Sequence, residues 1–174
     1  MIRSLQSVYL FLRVLSVNQL NDDIRILLID DHPVVMHGLT ALLNSEPGVN
    51  VCAQTGHLSE ALQLIEKHDV SLAVVDMLLE GTTGIQVTDA IKTRYPKVAV
   101  IIFSMSDEPQ YVKGAFEKGA AGYLTKDEVA EQIIVAIREV HNGGIFISKK
   151  LAQKYHKAEI RQWLSAKGRF PEKQ

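Results

Sequence analysis

From Ile24 to Gly144 the chain alternates short apolar runs with longer stretches in which apolar residues recur every three or four positions. Ile24 to Ile29 is almost wholly apolar and stops at Asp30-Asp31. The pattern returns at Val49 to Ala53, at Leu72 to Val75 ending in Asp76, at Val98 to Phe103 ending in Ser104, and at Tyr123-Leu124-Thr125 ending in Lys126. Short apolar runs rich in β-branched residues predict strands buried on both faces of a parallel sheet. Between them lie helical stripes: Val35, Leu39, Leu42, Leu43; then Leu58, Ala61, Leu62, Ile65; then Ile85, Ala90, Ile91; then Val112, Ala115, Phe116, Gly119; and finally Val129, Ile133, Ala136, Ile137, Val140. Pro33 suits a first helical turn, while Pro47-Gly48, Tyr95-Pro96 and Asn142-Gly143-Gly144 are stop signals. Met77 to Gly84 reads as a loop with two glycines for turning. Five strand-helix units in strict alternation predict an α/β fold with a doubly wound parallel sheet.

Residues 24–148 therefore form the expected domain, with residues 1–23 and 149–174 as appendages. The first 23 residues carry Leu5, Val8, Leu12 and Leu15 at helical spacing and end in a polar stretch, which predicts a helical extension that packs on the domain or a partner. A membrane-surface anchor would need more basic residues. The apolar stretch Val8 to Val17 is too short to span a bilayer, is interrupted by Arg13 and lacks a small-residue cleavage site. In the C-terminal tail, Leu151, Tyr155, Ala158 and Trp163-Leu164 are spaced as the stripe of one helix, with Lys150, Lys154, Lys157 and Arg161 mostly elsewhere. The tail should dock by its apolar face, leave its charge in solvent, and bind polyanions without sequence preference.

At 174 residues, 47% of them hydrophobic and 22% charged, the chain can bury one substantial core. Its net charge of −1 conceals an asymmetry: residues 149–174 sum to +6 and the first 148 to −7. The single cysteine, Cys52, cannot form an internal disulfide and falls in a strand, which fits a reducing cytoplasm. The six histidines show no metal-ligand spacing and are assigned structural or surface roles.

The polar residues that end the strands carry the candidate chemistry. Asp30, Asp31, Asp76, Ser104 and Lys126 all stand at carboxyl ends, so a parallel sheet gathers them on one rim, where α/β sheets bind ligands. Three clustered carboxylates call for a cation, and Mg2+, with its preference for oxygen ligands and phosphate, suits them best. With a lysine and a hydroxyl alongside, the set suits transfer of a phosphoryl group onto an aspartate.

At these residues the chain resembles the receiver domain of two-component response regulators. Asp30-Asp31-His32-Pro33-Val34-Val35 with Gly38-Leu39, Phe103-Ser104-Met105-Ser106, and Gly119 through Asp127 are similar to the NarL/LuxR-type subfamily in particular. The resemblance implies a flavodoxin-like (CheY-like) fold with a five-stranded sheet in the order 2-1-3-4-5. It implies Asp76 as phosphoacceptor, Asp31 as a direct Mg2+ ligand, Asp30 as a ligand through water, and the backbone carbonyl of Leu78 as a further ligand. Lys126 would pair with phosphoryl oxygens, Ser104 would hydrogen-bond the phosphoryl group and move with its loop, and Tyr123 would swing inward with it. The implied partners are a histidine kinase or phosphotransfer protein and a second copy of the chain.

Four positions depart from the family. Glu80 stands where a proline is usual and Leu78 where a polar residue is common; Met105 is bulkier than the usual alanine or glycine. Asp127 replaces a frequent cis-proline, so a trans bond is expected there, a non-proline cis bond costing about 3 kcal/mol. Two other functions compete. Aspartate-nucleophile phosphatases use a second Asp two residues after the nucleophile, where this chain has Leu78, which disfavours an enzyme. A DNA-binding transcriptional regulator needs a helix-turn-helix, and the 26 residues after Ser148 are too few for one, so specific DNA binding is not expected of this chain alone.

Overall fold

The computed structural model describes residues 23–156, 158–159 and 162–163. The expectation for the N-terminal extension lies outside the described residues, apart from Asp23. Among the described residues, eight strands and six α-helices run in the order β1 (Ile24–Ile29), α1 (Pro33–Asn44), β2 (Val49–Thr55), α2 (Leu58–His68), β3 (Leu72–Asp76), β4 (Leu78–Leu79), β5 (Thr82–Thr83), α3 (Gly84–Arg94), β6 (Ala99–Ser104), α4 (Pro109–Lys118), β7 (Gly122–Thr125), α5 (Val129–His141), β8 (Phe146–Ile147) and α6 (Lys149–Lys154). A 3-10 turn, Lys126–Glu128, leads into α5.

The main sheet is parallel throughout, in the order β2-β1-β3-β6-β7-β8. It contains the five expected strands in the expected order and adds a sixth at the edge. β8 is only two residues long, and its pairing Gly122↔Phe146 and Tyr123↔Ile147 depends on a distant strand rather than on any local pattern. The Met77–Gly84 segment is likewise more ordered than a plain loop, since β4 and β5 form a small antiparallel hairpin turned at Gly81, whose φ of 74° favours glycine.

Alternation along the strands divides the core into two layers. Ile26, Leu28, Leu72, Val74, Ile101 and Leu124 point towards α1 and α5, burying Leu39, Leu43, Ile133, Ala136 and Ile137. Leu27, Ile29, Val75, Val100, Ile102 and Tyr123 point the other way, towards α2, α3 and α4, burying Ala61, Ile65, Val87, Ile91, Val112 and Phe116. Leu151 and Tyr155 join this second layer, with Trp163 packed on it and edge-on to Tyr155 at 5.4 Å. The C-terminal stripe thus docks on the domain, but not as one helix. α6 ends at Lys154, Tyr155 is extended (φ −117°, ψ 138°), and Ala158 is exposed, because Tyr155 turns its hydroxyl to the Asp107 carbonyl. Nor is the helix's charge simply solvated: Lys150 and Lys154 both reach Asp107.

Candidate functional site

Strand register assembles the site. Ile29 pairs with Val75, so Asp30 emerges beside Asp76; Asp76 pairs with Phe103, which sets Ser104 one residue beyond; Ser104 pairs with Thr125, so Lys126 follows at the next step. Four of the five rim residues are therefore neighbours by strand pairing alone, and Asp31 joins them from the turn into α1. Below Asp76, the entry to α3 runs so close that the Gly84 amide donates to the Met77 carbonyl at 2.8 Å. The Thr83 hydroxyl and Gln86 close a capping box at the start of that helix, fixing where the loop ends.

Asp30, Asp76 and Ser104 are buried, and Lys126 is nearly so. Lys126 Nζ lies 3.0 Å from Asp30 Oδ2 and 3.1 Å from Asp76 Oδ1, bridging two carboxylates with one ammonium. It also stands 5.1 Å above the Phe103 ring, a cation–π contact that holds the stem in place. Burial lifts the Asp76 carboxyl above the usual carboxylate range; Lys126 opposes the shift and Asp30 adds to it.

Asp31 Oδ2 accepts the Glu80 amide at 2.8 Å, tying the β1–α1 turn to the loop after Asp76. Its other oxygen, Oδ1, is buried without a hydrogen-bond partner. Such an atom costs free energy unless something else satisfies it. Ligand oxygens of Asp30, Asp31 and Asp76 lie, together with a His32 ring nitrogen, within 4.8 Å of one another.

His32 is the residue that sequence reasoning missed. The structure brings it into the cluster, with Nδ1 2.9 Å from both Asp30 Oδ1 and Asp31 Oδ1 and 3.8 Å from Asp76 Oδ2; its hydrogen bond goes to Asp30. Its place immediately after the acidic pair was the available signal, but a lone histidine in a turn carries no metal-ligand spacing.

A pocket of about 350 Å³ opens over Asp76, lined by His32, Val35, Leu78, Ser104, Met105 and Lys126. Leu78 and Met105 are exposed around it, at 59% and 77%. Ser104 lines this pocket, and its hydroxyl accepts the Ser106 amide at 3.0 Å, as a turn hydroxyl does. Tyr123 is fully buried and donates its hydroxyl to the Ser106 carbonyl at 2.7 Å. Burial pushes its pKa up to about 12, with the neighbouring Ser104 hydroxyl acting in the opposite sense. No peptide bond among the described residues is cis, so Asp127 follows Lys126 in the expected trans form.

No helix among the described residues is long and apolar enough to cross a membrane. Residues 26–138 match the response regulator receiver domain family. The transcriptional regulatory protein DegU of Brevibacillus brevis is 33% identical over 134 residues, which cover 76% of this chain and 57% of DegU. The chain thus spans less than two thirds of the length of such relatives. Among solved structures, a LuxR-family two-component response regulator from Aurantimonas is 33% identical with a TM-score of 0.72, covering 79% of this chain and 97% of that one. The receiver domain of a NarL regulator from Mycobacterium tuberculosis is 32% identical with a TM-score of 0.66, covering 70% and 98%. With the acidic rim, the bridging lysine and the sheet order already in hand, these matches show that the chain belongs to the response regulator receiver domain family, among relatives of the NarL, LuxR and DegU type.

Proposed function

We propose that this receiver accepts a phosphoryl group on Asp76 from a partner histidine kinase or phosphotransfer protein in the cytoplasm, and that the modification switches its surface. The observation that carries the reading is the Lys126 bridge between Asp30 and Asp76 beneath an open pocket. An Asp76 carboxylate oxygen attacks phosphorus while the P–N bond of the donor phosphohistidine breaks, and the imidazole leaves with the electron pair. Lys126 offers its ammonium to the incoming phosphoryl oxygens, releasing part of its hold on Asp76. Ser104, on the pocket wall, offers a hydroxyl to another.

The donor set fits Mg2+: three carboxylates lie close together, and one buried oxygen, Asp31 Oδ1, accepts no hydrogen bond, its near neighbour being His32 Nδ1 at 2.9 Å. Asp31 and Asp76 would bind it directly, Asp30 through water, and the Leu78 carbonyl would complete the protein ligands. When bound, the ion would neutralise charge on the transferring group. Leu78 stands where a phosphatase would carry its general acid, which supports a signalling switch over an enzyme. Tyr123, buried with its hydroxyl on the Ser106 carbonyl, would be the aromatic that moves with the Ser104 loop.

Intact mass after incubation with acetyl phosphate and Mg2+ tests the reading. One added phosphoryl group is expected in the parent protein and none in Asp76→Asn. A modified Asp76→Asn, or an unmodified parent, would overturn it.

A further inference from the structure

The loop between β6 and α4 is held from both sides. From within, Tyr123 donates to the Ser106 carbonyl, and the Ser106 amide donates to Ser104 Oγ. From without, the next residue is gripped by the C-terminal segment: Tyr155 donates its hydroxyl to the Asp107 carbonyl at 2.7 Å, and Lys154 Nζ reaches the same carbonyl at 3.0 Å and Asp107 Oδ1 at 3.1 Å. Lys150 adds a longer contact to Asp107 Oδ2 at 3.6 Å and pairs with Asp127 at 3.2 Å, just past Lys126.

The gripping segment is itself anchored. Leu151 is fully buried, Tyr155 nearly so, and both share the core layer of Tyr123. Ser148 donates its amide to the Tyr123 carbonyl, and Lys149 to the Gln132 side chain. An exposed lysine–aspartate pair contributes little alone. Here several contacts converge on one loop residue from a docked element, so they restrict the backbone that carries Ser104.

On the reading that Asp76 is the phosphoacceptor, we propose that Lys154 and Tyr155 are positioning residues for phosphoryl binding, fixing the Ser104–Asp107 loop, and with it the Ser104 hydroxyl, before the group arrives. A loop already ordered pays less on binding than one that must be ordered. The Lys154 ammonium also holds the Asp107 carboxyl below the usual carboxylate range.

Beryllium trifluoride with Mg2+, a tetrahedral stand-in for the phosphoryl group, is the probe, titrated by calorimetry into the full chain. Replacing Lys154→Ala and Tyr155→Phe together keeps the buried ring and removes only the polar grip. This double variant is expected to bind the probe at least about fivefold more weakly than the parent, while Lys154→Arg, which keeps the cation, stays within about twofold. Thermal unfolding of each protein without the probe separates loop positioning from global destabilisation, and the double variant should remain folded at the titration temperature. A smaller loss in the double variant, or an equal loss in Lys154→Arg, overturns the clamp while the phosphoacceptor reading stands. A parent protein that fails to bind the probe overturns both.

Discussion

Gly84 lies so close beneath β3 that a Cβ added to it would stand 2.5 Å from the carbonyl oxygen of Asp76. No real Cβ tolerates such a backbone contact, so the entrance of α3 can pack under Asp76 only without a side chain at this position. Gly84→Ala should force the two segments apart, costing about 1–3 kcal/mol as other overpacking substitutions do, and should slow phosphorylation by acetyl phosphate. Denaturant unfolding and the mass assay check both; an unchanged midpoint would contradict the steric account.

Burial gives Asp76 a pH signature. Its folded-state pKa is raised, so between the unfolded and folded values the folded protein binds more protons, and stability falls as pH rises through that interval. Below it both states are protonated and the cost vanishes. In the presence of a chelator, Asp76→Asn should be more stable than the parent at neutral pH, and the gap should narrow as pH falls from neutral towards the unfolded value of about 3.9, below which it vanishes. Urea midpoints across that range test this; a gap that widens on acidification would refute it.

Leu78 exposes an apolar side chain on the wall of the Asp76 pocket. A polar side chain there would hold water near the acyl phosphate. Leu78→Asn should therefore hydrolyse the phosphorylated form about tenfold faster, the worth of one well-placed hydrogen bond at ~1.4 kcal/mol. Following the loss of the added mass over time measures this, and equal rates would dismiss the side chain as a determinant.

Phosphorylation adds a charge of roughly −1.5 to −2 on one rim. Because Ser104 and Lys126 stand at the starts of the segments leading to α4 and α5, the change should bias those surfaces and promote self-association. Sedimentation with and without beryllium trifluoride is expected to give different masses at equal concentration. Identical masses across a wide range would rule this out.

The sequence by itself determined the alternation of strands and helices and the residues at the strand tips. Both are local signals: an apolar run such as Leu72–Val75 fits only a strand covered on two faces, and a polar residue ending it must face the rim. Parallel pairing then brings Asp30, Asp76, Ser104 and Lys126 together with no further information. Tertiary structure alone decided the remainder. β8 has two residues, too few for any period, and exists because Gly122 and Tyr123 of β7 offer an unpaired edge. The stripe from Leu151 to Trp163 fits one continuous helix as a pattern, but it breaks at Tyr155, where a hydroxyl finds a carbonyl 48 residues away in sequence. His32 resembled any turn histidine until the fold of the β1–α1 turn set its ring nitrogen between two carboxylates. For β8 and Tyr155 the deciding partner is distant in the chain, and periodicity reports only on near neighbours; for His32 the partners are its own chain neighbours, and the backbone path of the turn, which periodicity does not report either, brings them together.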